Sequence, residues 1–279
     1  MARLYIVSTP IGNLDDITHR ALSVLDAVGR VLAEDTRRTG ILMRKYGIGT
    51  PLVSVHEHNE AARAAEVVAW LTAGEDLALV SDAGTPLLSD PGARVVDAVV
   101  AAGHEVVPVP GPSAALAALV ASGLPAEPFT FYGFLPRSGT GRTDRLAELA
   151  ALPHTAVLYE SPARLVGLLD ALAERADPTR RVAVSRELTK VYEEHVRGTL
   201  AEVADHYRRA GVKGEVVVVL GPSVGVSAQV DEAAAVALAT ALLAEGARPS
   251  GVAKEVVRRL GVPRNRAYEI VQDLKEESS

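Results

Sequence analysis

The sequence predicts an α/β protein with two α/β domains and a small helical extension at its C-terminal end. Three observations predict it. Short apolar runs alternate with amphipathic stretches over most of the chain. The alternation falls into two sets, separated near SGLPAEP at residues 122–128. Beyond Pro222 the strand-like runs stop and only helical patterns follow. The expected domains are residues 1–122, 123–222 and 231–277.

The elements follow in order. LYIV (Leu4–Val7), RVLA (Arg30–Ala33), LALV (Leu77–Val80) and EVVPV (Glu105–Val109) are short and apolar, as buried strands are. ITHRALSVLDAV, NEAARAAEVVAWLTAG and ARVVDAVVAAG lie between them and carry helical periodicity. Strand and helix in alternation argue a mostly parallel sheet covered by helices. In the second set the strands are FTFYGF, TAVLYE, RVAVSRE and GEVVVVLG, with helices around LAELAAL, RLVGLLDALAER and AEVADHYRRA. Phe129, Phe131 and Phe134 are expected in the core. Gly221–Val230, small and polar, reads as a linker. The tail then offers three helical segments, the last two joined by Gly261-Val262-Pro263 at helix–turn–helix spacing. From Arg248 to Lys275 it holds seven Lys/Arg against three Asp/Glu.

Composition narrows the function classes. The chain has 279 residues, 48% apolar and 23% charged, ordinary for a protein with a real core. It has no cysteine, which excludes disulfides, thiolate catalysis and cysteine zinc sites, and fits a cytoplasmic protein. MARLYIVSTPIGN is not a signal peptide, and no apolar run reaches membrane-spanning length, so no membrane partner is expected. Net charge is −6, so any nucleic acid must be held by local basic patches.

In α/β sheets ligands bind outside the carboxyl ends of strands. Glycine and proline gather there: Ser8–Leu14, Glu34–Arg38, SDAGTPLLSDPG (Ser81–Gly92), Pro110–Ala114, Gly133–Arg137, Tyr159–Pro162 and Ser185–Lys190. None is a dinucleotide or P-loop fingerprint. One such loop alone is ordinary turn chemistry; together they argue a cleft. Asp35 or Thr36 also suits a helix N-cap, and Arg186, Glu187 and Lys190 also suit a surface ion-pair cluster. His56-Glu57-His58-Asn59 makes a poor metal pair with no third ligand in view, so no metal is expected, and His58 or Asn59 is read as capping the next helix.

LYIVSTPIGNLDDIT, AEDTRRT, VSDAGTPLLSDPG, VPVPGPSA, FYGFLPR, YESPARL, SRELTKVYEE and KGEVVVVLGP, in this order, closely resemble the ribosomal RNA small subunit methyltransferase I family of the tetrapyrrole methylase superfamily. The likeness covers Leu4 to Pro222, and the tail from Asp231 resembles the helical extension of many members. It implies two αβα domains of tetrapyrrole-methylase type, a homodimer, and 2′-O-methylation of a cytidine in the decoding region of 16S rRNA, free or in the small subunit, with S-adenosyl-L-methionine between the domains. It implies cofactor contacts from Pro10, Gly84, Thr85, Leu88, Ser113, Ala114, Leu158, Tyr159, Gly214 and Glu215. A donor bearing an amino acid and a sulfonium has no phosphate to neutralise, which suits a turn without lysine. The 2′-hydroxyl is a weak nucleophile and gains from a base or from a lysine that favours its alkoxide. Lys190, Glu187 and Asp35 are the catalytic candidates, and Arg37, Arg38, Arg137 and Arg186 the phosphate contacts. The rivals are a tetrapyrrole methyltransferase acting on a cobalamin precursor, a non-enzymatic RNA-binding assembly factor and, least, an oxidoreductase.

Overall fold

The structure is a computed structural model that describes residues 2–56, 58–177, 179–223, 232–244, 247–260 and 264–276. It divides into two compact units, Met1–Pro222 and Ser223–Ser279.

The first unit holds two five-stranded sheets. The first sheet comprises β1 (Arg3–Val7), β2 (Arg30–Ala33), β3 (Leu52–Ser54), β4 (Leu77–Val80) and β5 (Glu105–Val109), in the order β3-β2-β4-β1-β5 and all parallel. Its helices are α1 (His19–Ala27), α2 (Thr36–Lys45), α3 (Glu60–Thr72), α4 (Ala93–Ala101) and α5 (Ala114–Ala121). Central β4 is buried at all four positions, so both faces are covered and its sequence is a continuous apolar run. β3 was not legible in the sequence; it is three residues long, lies at the edge and is only half-buried.

The second sheet comprises β6 (Phe129–Phe134), β7 (Thr155–Glu160), β8 (Arg181–Arg186), β9 (Glu194–Thr199) and β10 (Val216–Leu220). Its order is β6-β7-β10-β8-β9. Only β6 and β7 run parallel; β10 lies antiparallel to β7 and β8, and β9 to β8. β9 replaces what reads as loop. Its sequence EHVRGT sits at an edge without full burial and needs no apolar run. α6 (Thr140–Ala151), α7 (Pro162–Ala173) and α8 (Leu200–Ala210) complete this half. Ile11, Ala115, Ala118 and Leu119 from the first half share a core with Val157, Ala183, Leu188, Val217 and Val219 from the second. Arg180 is wholly buried, and its guanidinium donates to the carbonyls of Leu149, Ala150 and Gly221 at 2.6, 2.9 and 2.9 Å. It thereby binds the end of α6 to the end of β10, and burial lowers its pKa to about 10.

The second unit contains α9 (Glu232–Ala244), α10 (Pro249–Leu260) and α11 (Arg264–Glu276). Ala235, Ala239, Val252, Ala253, Val256, Ala267, Ile270 and Val271 form its own core. The Gly261–Pro263 turn and most of the Gly221–Val230 linker lie outside the described residues.

Candidate active site

The site begins where the first sheet changes direction. From β1 the chain crosses to β2 on one side, and from β4 it crosses to β5 on the other, so their carboxyl-end loops diverge and leave a crevice. Thr9 and Gly84 exchange backbone hydrogen bonds of 2.9 and 3.0 Å across it. Gly84 has φ +81°, a conformation side chains disfavour, and a Cβ there would stand 3.2 Å from Ile11 Cγ2. Ser8 Oγ donates to Thr85 Oγ1, which donates to the carbonyl of Pro112, tying the loops after β1, β4 and β5 together. Leu87 and Ser89 also take left-handed φ, of 74° and 72°, strain of the kind found in binding turns. The stretch ends at Gly92, whose amide and that of Arg94 donate to the buried carboxylate of Glu60 at 3.1 and 2.6 Å. Glu60 thus caps α4 from α3 and fixes the turn.

The second sheet supplies the facing wall. Because β10 runs antiparallel, its beginning lies beside the ends of β7 and β8. There Glu187, at φ +51°, accepts hydrogen bonds from the Glu215 amide and from Lys190 Nζ, each at 3.0 Å. Lys190 Nζ also lies 3.0 Å from Glu215. The Glu215 amide and the Lys190 ammonium hold the Glu187 carboxyl below its usual range. Burial works against the charge on Lys190, but its two carboxylate partners outweigh burial and raise its pKa. Thr189 Oγ1 accepts from the Asn13 amide at 2.9 Å and joins this loop to the one after β1.

Between the walls lies a cavity of about 360 Å³, within the range of small-ligand sites. Gly84, Thr85, Leu88, Ser113, Ala114, Tyr159, Gly214 and Glu215 line it. Two expected contacts fall elsewhere. Leu158 is fully buried in the core behind the sheet, because side chains alternate along β7 and Tyr159 takes the cavity side. Pro10 is buried, and its neighbour Ile11 lines the cavity instead. Phe134, expected in the core, is exposed and lines the cavity from the end of β6, and Phe129 is also exposed. Sequence reasoning also missed Leu188 and Asp90, although Asp90 stood in the quoted turn. The lining residues include Asp90, Glu160 and Glu215 and not one lysine, arginine or histidine.

The remaining candidates are distributed around this cavity. A second recess of about 390 Å³ shares Gly214 and is lined by Arg186, Glu187, Tyr192 and Lys213. Tyr192, not foreseen, is largely exposed. Arg186 pairs with Glu194 at 2.6 Å. Asp35 is the N-cap of α2, and its carboxylate accepts from the Arg37 side chain and amide, which lower its pKa to about 2. It does not line either cavity. Arg37 is thereby paired with Asp35, while Arg38 lies 3.4 Å from Asp82. Arg137 is exposed. Asn59 occupies the N-cap position of α3 but bonds within its own loop, to the His56 amide and the Ser54 carbonyl. The His56 and His58 rings lie 6.0 Å apart, and Glu57 is outside the described residues.

Residues 3–204 match the family described as Tetrapyrrole (Corrin/Porphyrin) Methylases, and the chain belongs to that family. Its curated relatives narrow the group. It is 45% identical over 276 residues to Ribosomal RNA small subunit methyltransferase I of Mesorhizobium japonicum, covering 99% of this chain and 93% of the relative. The proteins of the same name from Escherichia coli O157:H7 and Bacillus subtilis are 43% and 47% identical, over 95% and 79% of this chain and 93% and 75% of theirs. Among solved structures, the uroporphyrin-III-C-methyltransferase of Thermus thermophilus is 25% identical with a TM-score of 0.57, over 82% of this chain and 98% of that one. The cobalt precorrin-4 methyltransferase, at 21% identity and a TM-score of 0.61 over 78% and 94%, shares the fold.

Proposed function

We propose that the chain is an S-adenosyl-L-methionine-dependent methyltransferase of 16S rRNA that methylates the ribose 2′-oxygen of a cytidine in the decoding region. The observation that carries the reading is the cavity wall, with three carboxylates and no basic side chain. Such a wall suits a ligand with a sulfonium and an ammonium; a phosphate would find no cation there. The first amides of α5, next to Ser113 and Ala114, suit the ligand's carboxylate, since Ser113 leaves the helix without a side-chain cap. Phe134 and Tyr159, with ring centroids 5.5 Å apart, suit the flat adenine. The relatives of 39–47% identity support the choice of ribosomal RNA over a tetrapyrrole.

When bound, the donor supplies an already activated methyl group, so the chain's task is position and charge. Lys190, braced by Glu187 and Glu215 at the cavity rim, stabilises the developing ribose alkoxide. Glu187, held ionised, keeps Lys190 in place. Asp35 is too firmly ionised by Arg37 to accept the proton and instead starts α2. Arg37, Arg38, Arg137 and Arg186 contact RNA phosphates, with Lys213 and Tyr192 in the second recess beside them. The donor sits between domains of residues 1–122 and 123–222, and the basic helical tail adds RNA affinity. Leu116 and Val120, exposed one turn apart on the apolar helix α5, support a homodimer. Action on ribosomal RNA supports a cytoplasmic location.

The test is to incubate the chain with methyl-labelled donor and, separately, 30S subunits, free 16S rRNA and a corrinoid precursor. One labelled cytidine ribose in the decoding region is the expected result. Label on the corrinoid alone would replace the reading with tetrapyrrole methylation.

A further inference from the structure

Asp90 lines the cavity, and no contact assigned above uses it. It stands on the turn between β4 and α4, next to left-handed Ser89 and two residues before Gly92. The turn is held at both ends, by the Thr9–Gly84 pairing and by the Glu60 cap. The groups around Asp90 come from several elements. Ser81, just past β4, donates its hydroxyl to the Ala83 carbonyl and favours the charge on Asp90, which the charge of Asp82 opposes. Glu34, after β2, and Tyr159, on β7, both respond to its charge. The cation of this corner, Arg38 on α2, lies against Asp82. Among the described residues no lysine or arginine pairs with Asp90.

We propose that Asp90 is the general base of the reaction, the carboxylate that takes the proton of the ribose 2′-hydroxyl. The inference rests on the methyl-transfer reading above. In the step, the ribose O–H bond breaks and its proton passes to a carboxylate oxygen of Asp90. The ribose oxygen forms its bond to the methyl carbon, and the carbon–sulfur electron pair leaves with sulfur as a neutral thioether. Geometry separates Asp90 from the other carboxylates: of the two others on the cavity wall, Glu160 is paired with Arg164 at 2.5 Å and Glu215 with Lys190 at 3.0 Å. Glu187 is fixed by an amide and an ammonium, Asp35 by a guanidinium, and neither lines this cavity. Electrostatics agrees. Burial, helped by Asp82 and opposed by Ser81, raises Asp90 to about 6, near a working pH, whereas Asp35 and Glu187 are lowered.

The test uses Asp90→Asn in the full chain with three measurements. Single-turnover methylation of 16S rRNA should fall a hundredfold or more. The wild-type rate should show an acid limb with an apparent pKa at or below about 6, absent from the residual rate of the variant. Calorimetry with S-adenosylhomocysteine should give an affinity within a few-fold of wild type. The thermal midpoint at pH 7.5 should rise. Folding raises the carboxyl's proton affinity, so its ionisation destabilises the fold, with no cost below the ordinary carboxylate value and the full cost above about 6. Ser81→Ala gives a second reading: it removes the hydroxyl that favours ionisation of Asp90 and should shift the acid limb to higher pH. A wild-type rate in Asp90→Asn, a loss of S-adenosylhomocysteine affinity that accounts for the loss of rate, or a lowered midpoint would each overturn the proposal. If the wild-type chain itself labels no RNA, the functional reading falls and this base falls with it; an active wild type with an active variant sinks only the base.

Discussion

Lys190→Met separates chemistry from architecture at the cavity rim. The side chain is about one-third exposed, and its ammonium reaches Glu187 and Glu215 at 3.0 Å each. As ion pairs, partly open to water, these contacts are worth about 0–1 kcal/mol apiece. Glu187 keeps its second donor, the Glu215 amide, when the ammonium is gone. The fold should therefore lose about 1 kcal/mol and survive. The chemical step has more at stake. A cation beside a developing alkoxide contributes about 3 kcal/mol in the transition state, and each 1.36 kcal/mol is tenfold in rate, so methyl transfer should slow by roughly a hundredfold or more. Rapid-quench single turnovers, at saturating donor and 16S rRNA, isolate that step from product release. Calorimetry and filter binding should find both affinities nearly unchanged. Lys190→Arg keeps the charge but replaces the compact ammonium with a planar, delocalised guanidinium, and should fall between the two. Wild-type transfer in Lys190→Met would refute the argument and return the cluster to a surface ion-pair role.

Four further outcomes follow from the same geometry. Gly84→Val forces a branched residue to φ +81° and presses on Ile11 in the cavity wall, a strain of about 1–2 kcal/mol or more; S-adenosylhomocysteine affinity should drop at least tenfold, read by calorimetry on the folded variant. Tyr192→Ala removes an exposed ring beside Lys213 and should weaken RNA binding by about 1–3 kcal/mol, the worth of one stacked base, with the donor's affinity unchanged in the same titration series. Ending the chain after Pro222 removes a unit with its own core, so the rest should fold, bind donor normally and show a higher apparent KM for ribosomal RNA with a shallower salt dependence; undiminished RNA affinity would make the tail a dimer or stability element. Arg180→Met leaves the carbonyls of Leu149, Ala150 and Gly221 without their buried donor and should lower unfolding stability by about 2–4 kcal/mol in urea titration, with little effect on donor contacts.

The first sheet was largely readable because parallel strands buried on both faces must be apolar throughout, as LALV is. The same logic made edges unreadable. β3 and β9 pair on one side only and are partly wet, so LVS and EHVRGT carry no unbroken apolar signal. Residues on the cavity were legible where backbone chemistry marks them, as at Gly84 and Gly214, both at positive φ. They were not legible where a strand is apolar on both faces. In TAVLYE nothing local says that Tyr159 and not Leu158 faces the cavity; the register of β7 against β10 decides it.

Carboxylates show the limit most clearly. Asp35, Glu187 and Asp90 are alike in sequence, each just past a strand or within a glycine-rich turn. What separates them is supplied from elsewhere in the chain. Arg37 bonds Asp35 from the first turn of α2, so of the two readings the sequence allowed, base and N-cap, the structure shows the cap. Glu215, twenty-eight residues beyond Glu187, sends its amide to that carboxylate only because β10 runs against β8. Asp90 receives no such cation, feels the charge of Asp82, and shares the cavity wall with Tyr159 from the second sheet. Proton affinity is therefore a property of the closed fold, and a sequence motif can nominate the acids near a cavity without ranking them. The rank follows from which acid the fold leaves without a cation.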